Sequence, residues 1–97
     1  MITRIVKLEI STPLVQSFMD MFHSSKTGIL DFTGCRSVEL LQEESTPDKT
    51  TFFTYSIWET KEDLERYRSS DFFRGVWTET KKHFCGRPEA WTTQKVG

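Results

Sequence analysis

The chain has 97 residues, of which 36% are hydrophobic and 28% charged, and its formal net charge is −1. That length suits one domain, 1–97, with little surplus of buried surface. The balanced charge and the lack of a basic stripe argue against nucleic acid or an anionic membrane as partner, and no apolar run is long enough to span a bilayer.

Residues 2–11 alternate. Ile2, Val6, Leu8 and Ile10 share one face and Thr3, Lys7 and Glu9 the other, the pattern of a half-buried strand; Arg4 and Ile5 each break it. An alternating start is not the apolar block of an export signal, so a cytoplasmic location is expected. Residues 12–28 read as a helix, with Thr12 as N-cap, Pro13 at the first helical position and Gly28 at the C-terminal cap. Leu14, Val15, Phe18, Met21 and Phe22 form its apolar stripe, and His23 falls opposite, toward water. Gly34 marks a turn or bulge before a second strand, 35–42. The turn-rich "STPDKT" leads into a third strand, 51–58. Residues 60–86 are helical in two pieces: Thr60 caps the first, and Ser69, Ser70 and Asp71 mark a break and a second cap. Phe73, Val76, Trp77, Thr80 and Phe84 then recur at spacings of three and four. Gly86 and Pro88 end the helix, and 88–96 form a last strand. Cys35 and Cys85 have neither metal-ligand spacing nor a CxxC motif and read as free, buried thiols.

The order β-α-β-β-α-β is that of the ferredoxin-like α+β fold: a four-stranded antiparallel sheet with helices on one face. The third strand is bulky on both parities, with Phe53, Tyr55 and Ile57 on one and Phe52, Thr54, Ser56 and Trp58 on the other. Two helices cover one face only. The other would expose a larger apolar patch than monomers usually carry, and a second copy is the simplest cover, which predicts a homodimeric barrel. On the even parity, Thr54 and Ser56 sit between two large rings. That leaves a hollow lined by rings and hydroxyls, the usual form of a small-molecule site, unless Phe18, Phe22 or Trp77 fills it.

From "YSIWETKEDLERYRSSDFFRGVW" onward the sequence resembles the antibiotic biosynthesis monooxygenase domain family of dimeric α+β barrels. The likeness lies in a strand ending at Trp58, the pair Glu59-Thr60, Tyr67 on the helix, the break at Ser69-Ser70, Phe72-Phe73, and the stretch from Thr80 to Trp91. It implies a homodimer with a pocket between sheet and helices, and members that oxidise phenols or quinols without a cofactor, or that degrade haem. The haem branch uses an Asn, a Trp and an axial His at positions matching Val6, Tyr67 and Trp77 here; none is kept, so haem degradation is disfavoured. The phenol-oxygenase branch keeps its Trp at Trp58 but has a hydroxyl, Thr54, in place of an amide.

The resemblance therefore implies a cofactor-free monooxygenase, without metal or flavin, acting on a small aromatic or quinol-type compound. The alternative is a non-catalytic dimeric barrel that binds a small molecule or a protein. His83, beside the apolar stripe of its helix, is the better candidate base of the two histidines, and Tyr67 can hydrogen-bond a substrate oxygen. Phe22, Thr54, Ser56, Trp58 and Trp77 are the candidate substrate-binding residues. No phosphate loop, HExxH motif or Ser-His-acid set is present.

Overall fold

The alternation of residues 2–11 becomes strand β1, Ile2–Ser11, in a computed structural model that describes all 97 residues. A short 3₁₀ turn, Thr12–Leu14, leads into α1, Val15–Leu30. Strands β2, Cys35–Gln42, and β3, Lys49–Trp58, form a hairpin. Two helices follow, α2, Lys61–Arg68, and α3, Asp71–Lys81, before β4, Glu89–Gln94. The sheet order is β2-β3-β1-β4 and every pairing is antiparallel. This is the expected ferredoxin-like α+β fold. No helix is long and apolar enough to cross a membrane.

The punctuation of the second helical region works as its sequence implies. The Thr60 hydroxyl accepts from the Asp63 N–H at 3.0 Å, and the Ser70 hydroxyl accepts from Phe73 N–H at 3.0 Å, so each helix has its own cap. Gly34 carries the one positive φ in the chain, 86°, at the turn into β2, and a bulge follows between Cys35 and Ser37.

Three expectations are corrected. Thr12 does not cap a helix; its hydroxyl lies 2.9 Å from that of Thr50 and donates to the Thr46 carbonyl at 2.8 Å, tying the 3₁₀ turn to the β2–β3 hairpin. Gly28 lies inside α1, which runs on to Leu30; the Phe72 ring occupies the space where a side chain would sit, so the glycine permits close helix approach and does not end the helix. Cys85 is exposed, because α3 stops at Lys81 and leaves it in the following loop, while Cys35 is half-buried.

Even-numbered residues of β1 and β3 face the helices. The buried side chains there form two clusters: Leu8, Ile10, Phe18 and Phe52 at one end, and Phe22, Ile29, Val38, Trp58, Leu64 and Tyr67 at the other. The odd-numbered face has no helix on it. Ile5 pairs with Tyr55 and Trp91 across it, and Lys7 with Phe53; Leu41 and Trp91 remain 49% and 43% exposed.

Candidate functional site

The two clusters do not close on each other. Between them lies a cavity of about 330 Å³, lined by Leu8 and Phe18 from one cluster and by all six members of the other. Phe18, Phe22 and Trp77 stand in its wall and do not fill it. The reason is visible in β3: Thr54 and Ser56 are too short to reach α1, and the large rings to either side hold sheet and helix apart. The exposed lining residues are Arg68, Glu89 and Ala90, and these mark the mouth.

One wall is a continuous run of rings. Tyr67 stacks on Trp58 at 5.1 Å and 26°, Phe73 meets the edge of Tyr67 at 5.1 Å, and Trp77 stacks on Phe73 at 6.1 Å and 9°. The run joins β3 to α2 and α3, because Tyr67, Phe73 and Trp77 are on helix faces turned to the sheet. Flat walls of this kind suit a planar aromatic ligand.

The polar groups of the cavity divide into engaged and free. The Thr80 hydroxyl donates to the Val76 carbonyl at 2.7 Å and the Ser25 hydroxyl to the Met21 carbonyl at 3.0 Å, each satisfied by its own helix. Trp58 Nε1–H donates to Ser56 Oγ at 3.0 Å, which fixes the indole and leaves the serine its own hydrogen to give. The Tyr67 hydroxyl bonds to no other residue, yet no side-chain oxygen or nitrogen in the chain is both inaccessible and unpaired. Its oxygen therefore keeps some accessible surface, and Tyr67 is one of the residues that line the cavity. Burial, with a smaller push from Cys35, raises the Tyr67 hydroxyl to about 12, so it is a hydrogen-bond donor at neutral pH and not a base.

The structure thus brings together six of the seven candidate residues: Phe22, Thr54, Ser56, Trp58, Tyr67 and Trp77 all line the cavity. His83 stands apart. It is buried beyond the end of α3, with Nδ1 at 3.0 Å from the Glu79 carbonyl and Nε2 at 3.1 Å from Ser17 Oγ. A carbonyl only accepts, so Nδ1 carries a proton, and Nε2 shares a hydrogen bond with the Ser17 hydroxyl. Both nitrogens serve to join α3 to α1. His23 is exposed, as expected.

Sequence reasoning missed Arg4 and Arg68, which also line the cavity. A signal existed for Arg4: it interrupts the apolar parity of β1, and a charge on the core face of a central strand needs something to face. No group of three or more His, Cys, Asp or Glu side chains is assembled as metal ligands.

Similar folds are known. A Nitrosomonas europaea protein described as a candidate antibiotic biosynthesis monooxygenase superposes with a TM-score of 0.86 at 14% identity, over 98% of this chain and 89% of that one. The crystal structure of an antibiotic biosynthesis monooxygenase matches over 100% of both chains, at 0.85 and 12%. A conserved protein from Methanosarcina mazei matches at 0.81 and 23%, over 98% and 93%. Identities this low show the shared fold alone. No curated protein sequence matches the chain. The profile of the family described as "Antibiotic biosynthesis monooxygenase", however, matches residues 1–76, from the first strand into α3 and through most of the cavity wall; the chain belongs to that family.

Proposed function

We propose that the protein is a cofactor-independent monooxygenase acting on a small phenolic or quinol-type aromatic compound, and that the whole chain, 1–97, works as one such domain within a homodimer. The carrying observation is the cavity: about 330 Å³, walled by stacked rings and supplied with the unbonded Tyr67 hydroxyl. Family membership supports oxygenation as the reaction.

The chemistry asks little of the protein. A phenol with an unsubstituted para carbon and dioxygen contain all the atoms of a para-quinone and water. The phenolate gives an electron to dioxygen, and the resulting superoxide joins the para carbon as a peroxide. The O–O bond then breaks as the para C–H proton leaves. One oxygen becomes the new carbonyl and the other departs as water, taking up the phenol proton and the para proton. Dioxygen is the only oxidant and no external reductant is consumed. Tyr67 O–H, protonated up to about 12, and Ser56 O–H donate to the phenolate oxygen, and Thr54 offers a third hydroxyl. The aromatic walls exclude water from the radical pair. The phenol proton leaves through the mouth, since His83 is engaged elsewhere, and solvent returns one proton by the same route to the departing water.

That engagement of His83 favours a second reading, a binding barrel without turnover. Incubation of the purified protein with 1-naphthol under ¹⁸O₂ separates the two. One labelled oxygen in 1,4-naphthoquinone, above the protein-free rate and absent under nitrogen, is the expected result. Bound naphthol recovered unchanged under air would overturn the oxygenase reading and leave the binding one.

A further inference from the structure

Most of the cavity wall is apolar, so its charged members need a reason. Arg4 sits on β1 between Ile2 and Val6, on the parity that faces the helices, opposite Ser56 on β3 and Thr92 on β4. Of its five N–H donors the structure engages one side-chain acceptor, Thr92 Oγ1 at 2.7 Å, and no carboxylate lies within ion-pair distance. Arg68 is the last residue of α2 and reaches the same mouth; its only ion pair is with Glu65 one turn back, at 3.4 Å and half in water. Burial, and next the positive charge of Arg68, pull the Arg4 guanidinium below its ordinary range, with Glu65 acting the other way. Two guanidiniums close enough to oppose one another, on separate elements and sharing only the half-exposed Glu65 carboxylate, are an arrangement that a further anion relieves. Glu89 also lines the mouth, is exposed and forms no ion pair; of the two carboxylates near the guanidiniums only Glu65 engages one, and it is not part of the cavity wall.

We propose that Arg4 and Arg68 form an anion-binding mouth to the aromatic cavity, so that its ligand is an aromatic compound bearing a carboxylate. The carboxylate meets the two guanidiniums while the ring lies against Trp58, Tyr67 and Phe73. This deepens the functional reading by naming the substrate class, and it rests on the cavity being a ligand site, not on turnover. The geometry gives the ligand a direction: anionic end at the β1–β4 rim, ring and phenolic oxygen at Tyr67.

The test is calorimetric titration of the intact protein with three probes of one ring system: 2-naphthoate, 2-naphthamide and 2-naphthylmethylamine. The naphthoate is expected to bind about tenfold or more tighter than the amide, as a charge-assisted guanidinium–carboxylate contact supplies. The preference should shrink in Arg4→Gln and in Arg68→Gln, vanish in the double variant and be largely kept in Arg4→Lys, which holds the charge and reports on folding. Equal affinity for acid and amide, or a preference that survives the double variant, overturns the proposal while leaving the cavity as a ligand site. Tighter binding of the amine assigns the mouth to Glu89 and overturns it too. Failure of all three probes to bind removes the cavity reading itself.

Discussion

Tyr67 shows how one residue serves packing and chemistry together. Its ring closes the core against Trp58 and Phe32, and that burial keeps the hydroxyl neutral. The sign of the linkage follows. The folded hydroxyl titrates at about 12 and the unfolded one at its ordinary 10.0. Between those values the unfolded chain has lost the proton and the folded chain has kept it, so stability is intact below pH 10 and falls as pH rises toward 12. The full effect is roughly 2–3 kcal/mol. Chemical denaturation of wild type and Tyr67→Phe at several alkaline pH values should show a steeper fall in wild type; the shallower fall left in the variant belongs to the Cys35 thiol, which burial also raises. In turnover, loss of the hydroxyl should lower kcat about tenfold to a hundredfold, the scale of a hydrogen bond to a charged oxygen; an unchanged kcat would remove Tyr67 from the chemistry. Ser56 has the complementary role. Ser56→Ala leaves the buried Trp58 Nε1–H without its acceptor, and a loss of about 1–3 kcal/mol in unfolding free energy is expected by the same measurement. Legibility at this scale varied with cause. The Thr54–Ser56 gap was readable because side-chain volume and strand parity are local. The placement of His83 was not, since it depends on α3 ending at Lys81, which turns the ring back onto Ser17, 66 positions away. Arg4 was noticed as a break in a pattern but not as a ligand for anything, because the sequence does not show what lies across the sheet from it.

Among elements, the short connections carry the constraints. Gly34 must hold φ at 86° and also lie against Asp63 in the first turn of α2, where any Cβ would overlap that side chain; its carbonyl accepts the Glu59 N–H at 2.8 Å, joining the starts of β2 and α2. Gly34→Ala therefore meets both a left-handed backbone cost and a clash. About 1–3 kcal/mol of stability should be lost, read as a lower denaturation midpoint with an unchanged denaturant slope. A wild-type midpoint in this variant would mean that the turn relaxes freely. The glycine here was legible as a turn from its place before a strand, and the two caps at Thr60 and Ser70 were legible from local side-chain chemistry. Gly28 and Thr12 were misread for a shared reason. Each has the residue type that ends or starts helices, and each answers instead to a distant partner, the Phe72 ring and the β2–β3 hairpin. Local rules hold where the partner is within a turn or two and fail where the partner is across the fold.

The whole molecule poses an asymmetry between the two faces of its sheet. The helix face holds the cavity; the other presents Ile5, Phe53, Tyr55, Ile57, Leu41 and Trp91 with no element of the chain over them. Burying even a few hundred Å² of such surface favours association by several kcal/mol before entropy is counted, and a twofold pairing of sheets satisfies both copies at once. Ile5 is the informative position, since it lies on a central strand between Tyr55 and Trp91. In a dimer, Ile5→Glu would bury a charge without a partner; in a monomer the same carboxylate would stand in water and cost the fold little. Sedimentation should therefore give about twice 11.4 kDa for wild type and 11.4 kDa for Ile5→Glu, with the variant still folded. Wild type sedimenting at 11.4 kDa at micromolar concentration would discard the barrel. Because the cavity and its mouth at the β1–β4 rim lie on the helix side of the sheet, opposite the face that would pair, dissociation should leave the site intact. The Ile5→Glu monomer is expected to bind 2-naphthamide within about twofold of wild type. A large loss of affinity on dissociation would mean that the partner subunit shapes the site, and that the two faces of the sheet are coupled.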